Sequence, residues 1–401
     1  MFSVMCDADT VVVTCYGDVK SVNRYHDLDP DDFFIKKVGH RLVFYLTRPG
    51  LARPTSPQFI ELLKSLISAP KSSLQEPDHV SQNHDVCSSL HLTEKTSDQT
   101  LTHTLSYLRE MKIWKPTSEL VSLLNIVHHV PRLSKLDLDD VGMGNECQLL
   151  ATALKYVDKL RFLELSHNPL GHGISELAKH LHSVPHLEKL FLEDTQMGEE
   201  EVTALAHSLH SVTLLSELSL SYNPLGHGIS ELAKHLYNVP HLQELHLRDT
   251  QMGEEEVTAL ALSLKNVTQL NQLLLSYNPL GHGVSELAKH LYNVPHLKQL
   301  RLRDTQVGEE EVKALAHVLV HLPELASLWL DKNSLGRGVA ELIKCLRSSP
   351  QCTYLRLTEV QLTKKEATEL CTFANERNMF DFLSDYHVSF SFVICIYFIV
   401  R

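Results

Sequence analysis

Histidine is the residue whose number and spacing first suggest chemistry. The chain holds 25 of them, and neutral imidazole is a common zinc ligand. His182 with His186, and His317 with His321, have the i, i+4 spacing of two ligands on one helical face, although Pro185 lies between the first two. The other histidines argue against a metal. His172, His227 and His282 recur once per 55 residues, as do His180, His235 and His290. A residue copied along with a scaffold reads as solvated or structural, so neither a metal site nor a cofactor is expected. There is no G-x-x-x-x-G-K-[ST] phosphate loop, no H-E-x-x-H and no G-x-S-x-G. The glycines at 171, 173, 226, 228, 281 and 283 belong to repeated turns, and the lone Asn266-Val267-Thr268 triplet is what chance supplies. The chain is expected not to be an enzyme.

A second chemistry, protein recognition, is offered by Phe191, His246, Arg248, Leu274, Arg301, Arg303, Trp329 and Arg356. Tryptophan and arginine are the residues that dominate interface hot spots. These eight form a group only through the repeat that spaces them.

Leu-Ser-Tyr-Asn-Pro-Leu-Gly-His-Gly occurs from Leu220 to Gly228 and again from Leu275 to Gly283, with a near copy from Leu165 to Gly173. The underlying period is half of that 55-residue step. The first leucine of L-x-x-L-x-L falls at Leu133, Leu160, Leu187, Leu215, Leu242, Leu270, Leu297 and Leu325, with Cys352 continuing the series, in steps of 27 or 28. Such a period defines a leucine-rich repeat. The L-x-L alternation is that of a short strand with one buried face. Asn168, Asn223, Asn278 and Asn333 close the strand in one flavour of unit, Thr195, Thr250 and Thr305 in the other. Their polar side chains are expected to bond backbone groups that the strand end leaves open. Ile174, Leu177, Ala178 and Leu181 then have the spacing of a half-buried helix. Acidic residues such as Glu176 and Glu199-Glu200-Glu201 sit where the helix macrodipole favours them, and Val184-Pro185 and its copies stop the helix. One unit cannot bury its own apolar face, so the units must stack.

The expected fold is therefore α/β: a leucine-rich repeat solenoid or horseshoe, with short parallel strands on the concave face and helices on the convex face. Residues 105–377 are assigned to the solenoid, with degenerate end units. Leu105, 28 residues before Leu133, marks the first unit, although Glu110 stands where a strand leucine is due. Thr117 to Pro131 matches the helix-and-proline half of later units. Strand residues beside the leucines face the cavity. Acidic ones gather early (Asp137, Asp139, Glu164, Glu193), and the arginines and Trp329 late.

The flanks carry no repeat. Residues 1–68 hold short elements around Val11-Val12-Val13, Arg41 to Leu46 and Phe59 to Ile67; residues 69–104 read as a polar linker. The apolar tail at 378–401 includes Val388 to Val400, thirteen residues against the roughly 20 that a bilayer requires. It reads as a buried or disordered extension, or as sequence not native to the domain, with weak membrane contact the lesser alternative. Asp7 and Asp9 interrupt any signal-like stretch, and eight scattered cysteines without C-x-x-C suit reduced thiols, so the chain is expected in the cytoplasm. A formal charge of −12 with no long basic stripe excludes nucleic acid as the expected partner.

The units L-x-L-S-Y-N-P-L-G-x-G-[IV]-x-E-L-A-K-H-L and L-x-L-x-D-T-Q-M-G-E-E-E-V-x-A-L-A resemble the ribonuclease-inhibitor type of leucine-rich repeat. They are most similar to the C-terminal arrays of nucleotide-binding, leucine-rich-repeat (NOD-like) innate immune receptors, particularly the CARD-bearing kind from invertebrates. The resemblance implies a scaffold that binds a protein ligand or regulates a partner. Ribonuclease inhibitors and Ran GTPase activators share the repeat class, so a free-standing regulator of an enzyme is the alternative. No nucleotide-binding motif precedes the repeats, which leaves either a fragment or truncated form of such a receptor or an independent repeat protein.

Overall fold

The computed structural model describes residues 2–7, 10–16, 33–38, 41–46, 110–113, 120–121, 124, 127–360 and 362–376. The stretch 59–67, the linker 69–104 and the tail 378–401 lie outside them. Two compact units divide the chain, Met1–Gln196 and Met197–Arg401.

The first unit begins with four antiparallel strands, β1 (Phe2–Asp7), β2 (Thr10–Tyr16), β3 (Phe33–Val38) and β4 (Arg41–Leu46). The parallel repeat strands follow: β5 (Glu110–Ile113), β6 (Lys135–Asp137), β7 (Phe162–Glu164) and β8 (Lys189–Phe191). β1 pairs in parallel with β5, which joins the two sets. The unit also carries helices α1 (Cys147–Ala153) and α2 (Gly173–His180). The register of β5 corrects one expectation. Met111 stands opposite Leu136, so the first unit reads Leu108-x-x-Met111-x-Ile113 and begins three residues after Leu105. Glu110 never occupied a leucine position; Met111 fills it and is buried.

The second unit carries β9 (Glu217–Ser219), β10 (Glu244–His246), β11 (Gln272–Leu274), β12 (Gln299–Arg301), β13 (Ser327–Trp329) and β14 (Tyr354–Arg356). Its helices are α3 (Glu199–Ser208), α4 (Gly228–His235), α5 (Glu254–Ser263), α6 (Gly283–His290), α7 (Glu309–Val318), α8 (Gly338–Arg347) and α9 (Lys364–Glu376). Each strand is three residues long and parallel to the next. The protein is thus a leucine-rich repeat solenoid, with short parallel strands alternating with helices.

Period and burial agree residue by residue. Leu242, Leu245 and Leu247 are fully buried, as are Ile229, Leu232 and Leu236 from the preceding helix, with Ala233 nearly so. Helices do not run directly into the Val-Pro pairs. A 3-10 turn such as Leu236–Asn238 closes α4 first, and Val239 then leaves helical geometry, as do Val212 and Val267, which threonine follows instead of proline. α4 and α6 start on glycines because their neighbours leave no room: a Cβ on Gly228 would lie 2.3 Å from Val202 Cγ1, and one on Gly283 2.4 Å from Val257 Cγ1.

The asparagines do more than close their own strand. Asn278 Oδ1 accepts from the backbone N–H of Thr250 (2.9 Å) and Met252 (3.1 Å) and from Thr250 Oγ1 (3.1 Å). Its Nδ2 donates to the carbonyls of Leu247, Leu275 and Ser276. One buried amide thus satisfies two consecutive units. Asn333 binds Thr305, Val307, Leu302, Leu330 and Asp331 in the same way. Asn168 bridges Val141, Met143 and Leu138 in the first unit, and Asn223 reaches Met197 in the second. Thr195, Thr250 and Thr305 each donate to the carbonyl three residues back. Cys147 and Cys345 are free thiols, and burial pushes Cys147 up to about 12.

Candidate protein-interaction site

The register of the second unit lines up five of the eight candidate residues in one row. His246 stands opposite Leu274, Leu274 opposite Arg301, Arg301 opposite Trp329, and Trp329 opposite Arg356. Neighbouring strands lie about 4.8 Å apart, so these are adjacent side chains on one sheet face. Phe191 belongs to the first unit, where its ring lies 5.3 Å from that of Phe162.

The next lane explains why Arg248 and Arg303 stand out. In the asparagine-type units that lane holds a buried hydroxyl (Ser166, Ser221, Ser276) or, before Asn333, the buried carboxylate of Asp331. Ser221 Oγ accepts from the backbone N–H of Arg248, and Ser276 Oγ from that of Arg303, both at 3.2 Å. Every second residue of the lane therefore braces the backbone of its neighbour, and the arginines between them extend half-buried from a fixed base.

Aromatic rings hold the guanidinium groups. Arg248 lies over Tyr222 and Tyr277, its guanidinium carbon 5.0 and 4.5 Å from their ring centres. Arg303 approaches Tyr277 at 5.5 Å. Arg301 and Arg356 share Trp329, at 4.0 and 4.5 Å. Trp329 is fixed by its Nε1, which donates to Ser327 Oγ at 2.9 Å, and by the ring of Tyr354 at 5.9 Å. Contacts of this kind contribute about 0.5–2 kcal/mol each, more as water is excluded. Gln299 turns its side-chain oxygen to Arg301 and accepts from Nη2 at 2.6 Å and from Nε, while its nitrogen donates to Gln272 Oε1.

The arginines are not equivalent. Arg356 is buried with Asp331, its Nε 3.2 Å from a carboxylate that has no solvent exposure. Among the described residues, Arg248, Arg301 and Arg303 form no ion pair. Burial holds Arg301 below the usual guanidinium range, and the charges of Arg248 and Arg356 push it the same way. Sequence reasoning missed the lane before the leucine pair, where Gln272, Gln299 and Tyr354 support the arginines. It also missed Tyr222 and Tyr277, whose identity across copies marked them as scaffold. Both adopt positive φ, 60° and 64°, at the turn beyond the strand.

The histidines serve other ends. His227 and His282 place Nδ1 2.6 and 2.7 Å from the buried carboxylates of Glu256 and Glu311, one unit further on. Hydrogen bonding to those glutamates raises both histidines above their ordinary value. Burial alone would raise Glu256, but bonds from His227 and from the Gly253 and Glu256 amides bring it below the usual carboxylate range. Of the i, i+4 pairs, His182 and His317 bond carbonyls of their own helical turns (Lys179 and Lys313), and the groups with ligand-like proximity among the described residues are instead His207/Glu231/His235, His172/Glu200/Glu201, Glu217/Glu244/His246 and His227/Glu255/Glu256. No helix among the described residues is long and apolar enough to cross a membrane.

The geometry defines a repeat scaffold that carries a structured arginine-aromatic face, and its sequence relatives fit that class. The chain is 32% identical over 241 residues to NACHT, LRR and PYD domains-containing protein 5 of Mus musculus, covering 58% of this chain and 20% of that protein. It is 31% identical over 243 residues to the ribonuclease inhibitor of Sus scrofa, covering 58% and 53%. It is also 35% identical over 225 residues to the Tonsoku-like protein of Bos taurus, covering 52% and 16%. No family model matches the chain. The repeats are therefore of the ribonuclease-inhibitor type, related to those of the NACHT, LRR and PYD proteins and of ribonuclease inhibitor. The chain spans about half of the ribonuclease inhibitor and a fifth or less of the other two. The first of these relatives is named for a PYD domain, whereas the sequence resemblance points to the CARD-bearing kind.

Proposed function

We propose that this chain is a non-catalytic, cytoplasmic interaction scaffold that holds a protein partner on the strand face of its second unit, in a role related to innate immune sensing. One observation carries the reading: Arg248, Arg301 and Arg303 are held half-buried against Tyr222, Tyr277 and Trp329 without carboxylate partners. Packing arginines together costs electrostatic energy, and nothing in the repeat requires it. Pre-set aromatic and guanidinium groups reduce the ordering cost of binding a partner. The alternative, a free-standing regulator of an enzyme, draws on the ribonuclease inhibitor alone. The arginines would repel a basic ribonuclease. The test is capture of partners by the full chain, identified by mass spectrometry, with wild type compared to a Trp329→Ala/Arg301→Ala variant of equal thermal stability. A partner retained equally by both would overturn the proposal.

A further inference from the structure

The strand face of the second unit carries an arginine cluster, beside the carboxylates Glu217 of β9 and Glu244 of β10, in a chain that is acidic overall. The protein carries −12 overall, yet Arg248, Arg301, Arg303 and Arg356 converge on one side of the second unit. Among the described residues, only Arg356 of these four pairs with a carboxylate, that of Asp331. The Nε atoms of Arg248 and Arg303 are buried without a hydrogen-bond partner, although a guanidinium offers five donors in a fixed fork. Asp249 and Asp304 follow these arginines directly, but they are exposed at the turn with positive φ and accept from neither guanidinium among the described residues. Half-buried, ring-supported, unneutralised guanidinium groups are built to receive oxyanions.

The spacing narrows the ligand. Arg248 follows β10 and Arg303 follows β12. The two are two strands apart, about 9.6 Å at about 4.8 Å per strand. An extended strand does not match this distance, because residues three apart point to opposite faces. A polyproline II segment does. It repeats every three residues at about 3.1 Å each, so every third side chain returns to the same edge after about 9.3 Å.

We propose that the strand face of the second unit binds an acidic peptide segment of its partner, extended in polyproline II form, with carboxylates three residues apart engaging Arg248 and Arg303. This inference rests on the interaction-scaffold reading above and adds the chemistry of what is bound. Single-stranded nucleic acid would also stack on aromatic rings, but here the faces of Tyr222, Tyr277 and Trp329 are already occupied by arginines.

The experiment is fluorescence anisotropy with the full chain and a labelled twelve-residue peptide with glutamate at every third position among serine and proline. A glutamine version and a labelled uridine 12-mer are run beside it. The glutamate peptide is expected to bind, weakening as salt rises, with the glutamine peptide at least tenfold weaker. Arg248→Gln/Arg303→Gln is expected to lose at least tenfold, while Arg248→Lys/Arg303→Lys loses less. If the glutamine pair fails to fold, the lysine pair compared across the two peptides carries the same test. Equal affinity for both peptides, no binding of either, or tighter arginine-dependent binding of the uridine oligomer would overturn the inference. A partner captured through Trp329 and Arg301 but not displaced by excess glutamate peptide would overturn this inference and leave the scaffold reading standing.

Discussion

Replacing Asn278 by alanine removes six hydrogen bonds at one buried point. The backbone N–H groups of Thr250 and Met252 lose their acceptor, and the carbonyls of Leu247, Leu275 and Ser276 lose a donor. The site is closed to solvent, with Asn278 1% exposed and Thr250 not at all, so water cannot substitute freely. An orphaned buried donor costs about 1–3 kcal/mol, and two of them place the loss at about 4 kcal/mol, with the carbonyls adding to it. Thr250→Val is the internal control. It removes only the hydroxyl bonds to Leu247 and Asn278 and is expected to cost about 1 kcal/mol. Asn278→Asp keeps the acceptor but turns a second oxygen toward three carbonyls, and should cost at least as much as alanine. The assay is urea unfolding at 25 °C followed by circular dichroism and tryptophan fluorescence. Repeat arrays need not unfold in one step, so coincidence of the two probes is checked first. A loss under about 1 kcal/mol for Asn278→Ala, or tolerance of Asn278→Asp, would refute the reasoning that the asparagine ladder ties unit to unit.

Three further outcomes follow from the same geometry. His227 and His282 are raised above 6.5 by Glu256 and Glu311, so their pairing contributes fully below that value and is lost as pH rises through the folded-state value. The glutamates are lowered, so their share is present above 4.5 and fades as pH falls through their folded-state values. The melting temperature should therefore fall between pH 6 and 8.5 more in wild type than in His227→Gln/His282→Gln; parallel profiles would contradict this. Gly283→Ala would drive a methyl to within 2.4 Å of Val257 Cγ1 and 2.7 Å of Glu254 O, costing about 1–3 kcal/mol, measured by urea unfolding. Arg356→Ala strands the buried Asp331 carboxylate and should cost about 3–5 kcal/mol, whereas Arg301→Ala, which breaks no ion pair, should cost about 1 kcal/mol or less. Equal losses would show that the two arginines do not differ as described.

Much of this was legible in the residues. The 27- and 28-residue steps located the strands because each leucine position is buried, and the alternation placed His246, Leu274, Arg301, Trp329 and Arg356 in one lane, which the pairing register reproduces. What the sequence withheld was interaction across units. Nothing in His227 announces a glutamate 29 residues on, and Tyr222 and Tyr277 look like scaffold until Arg248 is seen between them. The first unit misled for a related reason. Leu105 stands 28 residues before Leu133 and Leu108 only 25, so the step favoured Leu105, and only the pairing of Met111 with Leu136 selects Leu108. The buried Asp331 likewise separates Arg356 from Arg301, although both fall in the same lane.

The most direct test compares the two faces of the second unit on one captured partner. Trp329→Ala/Arg301→Ala alters the strand face. Tyr237→Ala/Tyr292→Ala removes two side chains, 59% and 58% exposed, from the helix layer. With both proteins folded, equilibrium binding should fall at least tenfold for the first pair and hold within twofold for the second. The reverse pattern, with the tyrosine pair losing the partner and the Trp329/Arg301 pair retaining it, would contradict the claim that the strand face does the binding.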